Sequence, residues 1–352
     1  MSRFFQKNIT PYVPGEQPAD FGSYVKLNTN ESPYPPSDRA LAWAAAHTRS
    51  LNLYCDPDCR ELREALAEMC SLSPEEILPA NGSDEILNFA FMAFCGKDRG
   101  ALFPDITYGF YPVFAEVNGV PYEEIPLRGD FGIGAEDYLG RRGTVFIANP
   151  NAPTGVCLSV AEIERVAASD PDRVVVVDEA YIDFGGESCL PLVRKYDNLL
   201  VTQTFSKSRS MAGARLGFGA GCKALIGDLT AIKYSTNPYN VNSMTQALAL
   251  GTLAEETYTR RNCAAIIETR DYTTAELRRR GFEVFDSAAN FVFARTNAMD
   301  GGALYRALKE KGVLVRHFDK PRIADYNRVT IGTREQMDAL LCALDEILEG
   351  SI

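Results

Sequence analysis

Val174-Val175-Val176-Val177-Asp178-Glu179-Ala180-Tyr181 is a run of four β-branched apolar residues that ends in two acids. A run that is apolar at every position, rather than at alternate ones, reads as a strand buried on both faces, the pattern of a central parallel strand. Thr144-Val145-Phe146-Ile147-Ala148 and Leu199-Leu200-Val201-Thr202 have the same character. Helical stripes lie upstream: Leu62, Leu66, Met69 and Cys70 within Arg60 to Cys70, and Ile86, Ala90, Phe91 and Phe94 after Asn81-Gly82-Ser83-Asp84. Alternation of this kind predicts an α/β fold, with helices on both faces of a doubly wound, mostly parallel sheet.

The C-terminal part reads differently. Tyr258 to Arg280 carries a long helical pattern. Short apolar runs follow at Glu283-Val284-Phe285, Asn290-Phe291-Val292-Phe293-Ala294 and Val313-Leu314-Val315, with a helix near Leu304 to Lys311. Thr333 with Gln336 makes a capping box, and Met337, Leu340, Leu341, Leu344, Ile347 and Leu348 form the apolar stripe of a final helix. This is the pattern of a smaller α+β domain. The N-terminal stretch is rich in Pro and Asn and holds no long helix. The chain therefore divides into an arm (1–35) that packs with the small domain or reaches a neighbour, a large domain (36–250) and a small C-terminal domain (251–352).

With 352 residues, 46% apolar and 24% charged, the chain can bury a large core in about two domains without a disulfide or metal staple. Its 36 basic and 47 acidic residues give a net charge of −11, which disfavours a nucleic-acid or anionic-membrane surface. No stretch approaches ~18 uninterrupted apolar residues, and Met1 to Asn8 lacks the apolar core of a signal peptide. The nine cysteines are scattered and form no Cys-x-x-Cys pair, so they read as reduced thiols of a cytoplasmic protein. The two histidines, His47 and His317, have no metal-ligand neighbours at helical spacing and no Gly-x-Ser-x-Gly elbow accompanies them. A His-Glu-x-x-His zinc site and a Ser-His-Asp triad are therefore not expected.

Four features carry chemistry. Asn81-Gly82-Ser83-Asp84-Glu85 is a turn opening a helix, whose backbone N–H groups suit a phosphate, although the same residue types make ordinary N-caps. Asn149-Pro150-Asn151-Ala152-Pro153-Thr154-Gly155 follows a buried strand, where open α/β sheets bind ligands; a tight strand-to-helix turn needs the same residues. Asp178 and Glu179 end a buried strand, so a carboxylate there either holds a positive ligand group or caps a helix. Finally, Lys207 lies just past a buried strand between Ser206 and Ser208, with Thr204 and Arg215 nearby. A desolvated lysine there is a nucleophile toward carbonyls, and the hydroxyls and guanidinium suit a dianionic phosphate. A lone loop lysine is more often simply solvated. Together the four describe one ligand with a phosphate, a ring nitrogen, a phenolic oxygen and an aldehyde, which is pyridoxal 5′-phosphate.

The run Ser206-Lys207-Ser208-Arg209-Ser210-Met211-Ala212-Gly213-Ala214-Arg215-Leu216-Gly217 resembles the lysine segment of class I/II aminotransferases. Leu27-Asn28-Thr29-Asn30-Glu31-Ser32-Pro33-Tyr34, Tyr54-Cys55-Asp56-Pro57, Thr107-Tyr108-Gly109 and Arg328-Val329-Thr330-Ile331-Gly332-Thr333-Arg334 are similar to the histidinol-phosphate aminotransferase branch. The resemblance runs from about Ile9 to Leu348 and implies a fold-type I pyridoxal-phosphate enzyme. It implies that Lys207 bonds the cofactor and shuttles a proton, that Asp178 pairs with the ring nitrogen, and that Tyr181 donates to the ring oxygen. Tyr108 would stack on the ring, while Gly82, Ser83, Asp84, Thr204, Ser206 and Arg215 would surround the phosphate. Tyr54 would reach the cofactor of a second subunit, which implies a homodimer. Arg328 would clamp a substrate carboxylate, and Arg316, Tyr12 and Asn30 would complete the substrate site. Relatives often carry Asn where this chain has Ala152, so Asn151 or Asn149 is expected to substitute.

The implied reaction moves an amino group between histidinol phosphate and 2-oxoglutarate, giving imidazole acetol phosphate and glutamate. An aromatic-amino-acid aminotransferase or a threonine-phosphate decarboxylase on the same fold is the nearest alternative. A non-catalytic binding protein is an alternative of another class. The partners expected are a small amino donor, a 2-oxo acid and a second copy of the chain, with no nucleic acid and no membrane.

Overall fold

The fold is that of a computed structural model that describes residues 5, 7 and 9–349. Most of the Met1 to Asn8 run examined for a signal sequence lies outside the described residues. After the arm come β1 (Val25–Lys26), α1 (Asp38–Ala46), α2 (Arg60–Cys70), β2 (Ile77–Ala80), α3 (Ser83–Phe94) and β3 (Ala101–Pro104). The chain continues through α4 (Phe110–Asn118), β4 (Tyr122–Ile125), β5 (Thr144–Ala148), α5 (Val160–Ala168), β6 (Val175–Asp178), β7 (Leu199–Thr204) and β8 (Gly217–Gly221). Then come α6 (Lys223–Thr236), α7 (Ser243–Leu253), α8 (Glu256–Arg279), β9 (Glu283–Val284), β10 (Phe291–Arg295) and α9 (Gly301–Glu310). The last elements are β11 (Val313–Leu314), β12 (Arg316–His317), β13 (Asn327–Thr330) and α10 (Arg334–Glu349).

Seven strands form the large sheet, in the order β2-β8-β7-β6-β5-β3-β4. The five from β4 to β7 are parallel, whereas β8 runs antiparallel to both β7 and β2. Every residue of β5, β6 and β7 is buried, as continuous apolar runs require. The register sets the position of the site. Ala148 pairs with Asp178, Asp178 with Thr202, Thr204 with Gly217, and Gly217 with Ala80. The carboxyl ends of β2, β5, β6 and β7 and the start of β8 thus meet at one edge of the sheet, where open α/β sheets bind ligands.

The second sheet, β12-β13-β10-β9, is antiparallel and packs its Phe291 and Val292 with Leu340, Leu341 and Leu344 of α10. The capping box forms as expected: the Thr333 N–H donates to Gln336 Oε1 (2.9 Å) and the Gln336 N–H to Thr333 Oγ1 (3.3 Å). In the separate two-stranded pair, β1 runs parallel to β11, so the end of the arm belongs physically to the C-terminal layer. An aromatic cluster joins the layers: Ile106, Leu127 and Phe131 pack with Phe293, Ile323 and Tyr326, and Phe293 stacks on Tyr326 at 4.7 Å. Among the described residues no helix is long and apolar enough to cross a membrane.

One glycine fixes how closely α3 approaches the sheet. A Cβ on Gly217 would sit 2.6 Å from the Gly82 carbonyl carbon and 2.8 Å from Ser83 Cα, both backbone atoms. Gly217→Ala must push the α3 N-terminus off β8. The expected cost is roughly 1–3 kcal/mol of stability, read as a lower urea midpoint, together with weaker binding of phosphate-bearing ligands. An unchanged midpoint would show that the turn accommodates a methyl group.

Candidate active site

Two connected cavities lie at this edge. An inner one of about 330 Å³ is lined by Ser83, Asp178, Thr204, Ser206, Lys207 and Arg215. An outer one of about 550 Å³ runs between the arm, the start of α4 and β12–β13, and includes Tyr12, Asn30, Arg316 and Arg328. Tyr108, Ala152, Tyr181 and Lys207 line both, which places the lysine where the two join.

Asp178 closes β6 and is 4% exposed. Burial, then the nearby Asp84 carboxylate, raises its pKa to about 7. Two donors oppose the rise: the Tyr111 hydroxyl on Oδ2 (3.2 Å) and the Ala180 N–H on Oδ1 (3.2 Å). Lys207 donates to the Thr29 carbonyl (3.3 Å) and lies 5.8 Å from the centre of the Tyr181 ring. Burial, then the Arg328 charge, lowers its pKa to about 8. Glu179, by contrast, is spent on structure, accepting from Ser188 Oγ, the Cys189 N–H and Gln203 Nε2.

The phosphate cradle is assembled from three elements. Gly82 caps α3 with φ +86°, and a Cβ there would lie 2.7 Å from Arg215 Nη2, so the guanidinium can settle over the turn only above a glycine. Arg215 itself adopts φ +58°, a costly conformation for an arginine that turns its side chain toward Ser206 and Asp84. Thr204 Oγ1 donates to Ser206 Oγ (3.0 Å), so the two hydroxyls lie together beside the cavity. The fit to the implied cofactor is good: a helix N-terminus, a guanidinium and two hydroxyls for a phosphate, a cation-free buried carboxylate for a ring N–H, and a desolvated amine for an aldehyde.

Several expectations need correction. Asn151 does not line the inner cavity; its amide donates to the Ile106 carbonyl and to Thr154 Oγ1 and accepts from the Thr107 hydroxyl, which spends it on tying its own turn to the segment after β3. Asn149 is likewise engaged with Leu158 on both sides. The amide near the reactive tyrosine is that of Asn30, whose Nδ2 donates to the Tyr181 hydroxyl at 3.0 Å. Asp84 is not free to meet a phosphate: one oxygen accepts from Tyr108 (2.7 Å) and the other from Arg215 (3.1 Å), so its role is to hold those two side chains. Tyr54 needs none: it is expected to reach the cofactor of a second subunit rather than its own, and it is 83% exposed and stacks on Tyr239. Sequence reasoning missed Tyr111, because a fully buried aromatic in a helical stripe looks like core.

Arg316 and Arg328 are direct cross-strand partners in β12 and β13. Arg328 donates to the Asn28 carbonyl (3.1 Å), leaves its Nε without a partner, and lies over Phe291 and Phe318. Arg316 donates to the carbonyls of Val13 and Pro14, which ties the arm across the outer cavity. Tyr12 of the arm stacks on Phe110 at 4.3 Å.

The chain belongs to the aminotransferase class I and II family, whose model matches residues 23–344. It is 48% identical over 351 residues to histidinol-phosphate aminotransferase 1 of Bradyrhizobium diazoefficiens, covering 99% of this chain and 100% of that one. It is 50% identical over 341 residues to histidinol-phosphate aminotransferase 2 of Rhizobium meliloti, covering 97% of each. Its fold matches the crystal structure of histidinol-phosphate aminotransferase from Sinorhizobium meliloti in complex with pyridoxal-5′-phosphate, with a TM-score of 0.84, 22% identity, and coverage of 93% of this chain and 91% of that one.

The raised pKa of Asp178 sets a stability test with a definite sign. A carboxyl group whose folded-state pKa lies above its ordinary value gives full stability below that ordinary value and loses it as pH rises through about 7. In the cofactor-free protein, Asp178→Asn should therefore match wild type near pH 4 and become the more stable variant above pH ~7, read from urea midpoints across the range. Equal midpoints at pH 8 would contradict the burial argument.

Proposed function

We propose that this chain is a pyridoxal-phosphate-dependent aminotransferase acting on histidinol phosphate and 2-oxoglutarate. The observation that carries the substrate choice is the register of Arg316 against Arg328. Like charges directly opposite one another destabilise a strand pair, and among the described residues neither guanidinium has a carboxylate within 4.0 Å. A dianionic phosphate offsets that repulsion better than a single carboxylate does.

When bound, the cofactor supplies an electron sink for the substrate's α-carbon. Burial lowers the Lys207 pKa to about 8, so its amine would be suited to bond the cofactor's aldehyde carbon and, once released, to take and return the substrate's Cα proton as a general base. Asp178 as a carboxylate accepts from the ring N–H and keeps that proton in place. The Tyr181 hydroxyl, with Asn30 donating to it, would donate to the ring oxygen. Gly82, Ser83, Thr204, Ser206 and Arg215 hold the phosphate, with Asp84 keeping Arg215 and Tyr108 in position. Tyr108 covers the ring. Arg328 serves the substrate carboxylate of one half-reaction and the phosphate of the other, with Arg316 and Tyr12 beside it. Burial of Asp178, Tyr181, Lys207 and Arg328 strengthens each of their contacts.

The same reading makes the working form a homodimer in the cytoplasm. Nine free cysteines fit a reducing compartment. Leu41, Trp43, Leu51, Leu53 and Tyr54 all expose large apolar side chains along α1 and the segment after it, a surface that a second copy would cover. The chain is treated as three parts, an arm (1–35), a large domain (36–250) and a small domain (251–352).

Turnover of histidinol phosphate with 2-oxoglutarate, measured beside phenylalanine, tyrosine and threonine phosphate, tests the substrate. A higher kcat/KM for any of the other three would overturn it. Arg316→Ala should raise KM for histidinol phosphate by about 10–100-fold while changing the glutamate half-reaction less, and Arg328→Ala should damage both. Equal damage to both half-reactions by Arg316→Ala would point to a general aminotransferase. The dimer is tested by mixing. Lys207→Ala and Tyr54→Ala should each lose most activity alone and regain it when unfolded and refolded together, because mixed dimers hold one intact site. No regain would place Tyr54 outside the site.

A further inference from the structure

Two tyrosines at the start of α4 each serve one acid of the inner cavity. Tyr108 lies just before the N-cap of α4 and Tyr111 in its first turn, and the Tyr111 N–H donates to the Tyr108 carbonyl (3.2 Å), which holds the two side by side. Their rings meet edge to face at 5.7 Å. The Tyr108 hydroxyl goes to Asp84 and the Tyr111 hydroxyl to Asp178. Tyr111 is fully buried, with Phe103 at 5.7 Å and Phe146 at 5.8 Å holding its ring. A side chain so confined has one place for its hydroxyl, and that place is Asp178 Oδ2.

Asp178 needs such a partner. From its own strand end it faces Glu179; from α3 it faces Asp84; from α4 it faces Tyr111 and Tyr108. Lys207 and Arg215 border the same cavity, but among the described residues neither is ion-paired to it, and Arg215 pairs with Asp84. No cation therefore fixes the carboxylate before a ligand arrives. We propose that Tyr111 is a positioning residue for the aminotransferase reaction, its buried hydroxyl holding the Asp178 carboxylate in orientation as an acceptor for the cofactor's ring nitrogen. One oxygen is fixed by Tyr111 and the other by the Ala180 N–H, and the lone pairs that remain are directed without a search through rotamers. Burial holds the Tyr111 phenol far above its ordinary pKa, so it stays a donor at every working pH. Because it donates to the charged form, it also keeps Asp178 ionised further down the pH scale than burial alone allows.

This rests on the reading of Asp178 as the partner of a ring nitrogen, so the test separates the two. The probe is pyridoxamine 5′-phosphate, which lacks the aldehyde and reports non-covalent contacts only, bound to the cofactor-free full chain in equilibrium dialysis. Tyr111→Phe should weaken binding roughly tenfold near pH 6.5. The loss should shrink toward pH 9, where Asp178 is ionised with or without the hydroxyl, and it should vanish in the Asp178→Asn background. A loss that is the same at every pH, or that persists beside Asp178→Asn, would reduce Tyr111 to packing; no loss at all would also overturn the proposal. If Asp178→Asn alone leaves affinity unchanged, the underlying reading of Asp178 fails instead, and this inference falls with it. Tyr111→3-fluorotyrosine keeps the shape while strengthening the donor and should move affinity the opposite way. An unmoved affinity there counts against the proposal even if the phenylalanine variant does not fold.

Discussion

A carboxylate buried at the end of a strand, with no ion-pair partner among the described residues, is the constraint on which the site is built. Asp178 and Lys207 line one cavity, yet they are not within ion-pairing distance of each other. Had they paired, each charge would have cancelled the other and left nothing for a ligand. Kept apart, the acid is driven up to about 7 and the amine down to about 8, both by burial. A ligand with a proton-bearing ring nitrogen and an electrophilic carbon satisfies both at once. The protein holds two unfavourable groups in place, and binding relieves them.

The sheet makes this separation possible. Parallel strands β5, β6 and β7 bring Ala148, Asp178 and Thr204 to one edge; the start of the reversed strand β8 and the end of β2, which runs with the parallel set, add Arg215 and the α3 N-terminus to the same edge. Groups from sequence positions as far apart as Gly82 and Arg215 therefore converge without any long loop. The second sheet meets this edge through the aromatic cluster of Phe131, Phe293 and Tyr326, which sets Arg316 and Arg328 over the outer cavity.

Much of this could be read from the chain alone. Val174 to Tyr181 announces a buried strand with an acid at its end, and the α/β layering follows from its neighbours. Lys207 and Arg215 stand out because hydroxyls and glycines surround them. What could not be read was how each polar group is spent. Asn151 looked like a ligand contact, but its amide bonds Ile106 and Thr107, 45 and 44 residues away, as well as Thr154 of its own turn. Asp84 looked like part of a phosphate site, but its two oxygens anchor Tyr108 and Arg215. Asn30 was expected beside the substrate but not as the partner of Tyr181, and Tyr111 gave no signal of its own, since the bonded residues, Tyr181 and Asp178, lie 151 and 67 residues away. Residue type and local spacing disclose an element; the partner of a hydrogen bond depends on tertiary register.

The arm meets the site largely through its main chain. The carbonyls of Val13 and Pro14 receive Arg316, and that of Glu16 receives Asn28. The Val13 side chain itself is 71% exposed. A carbonyl is the same whatever side chain sits beside it, so the contact with Arg316 does not depend on the side chain of Val13. Its length is another matter. One residue inserted or removed between Val13 and Asn28 would shift these carbonyls out of line with the groups they receive, so the number of residues here matters more to those contacts than the identity of Val13 does.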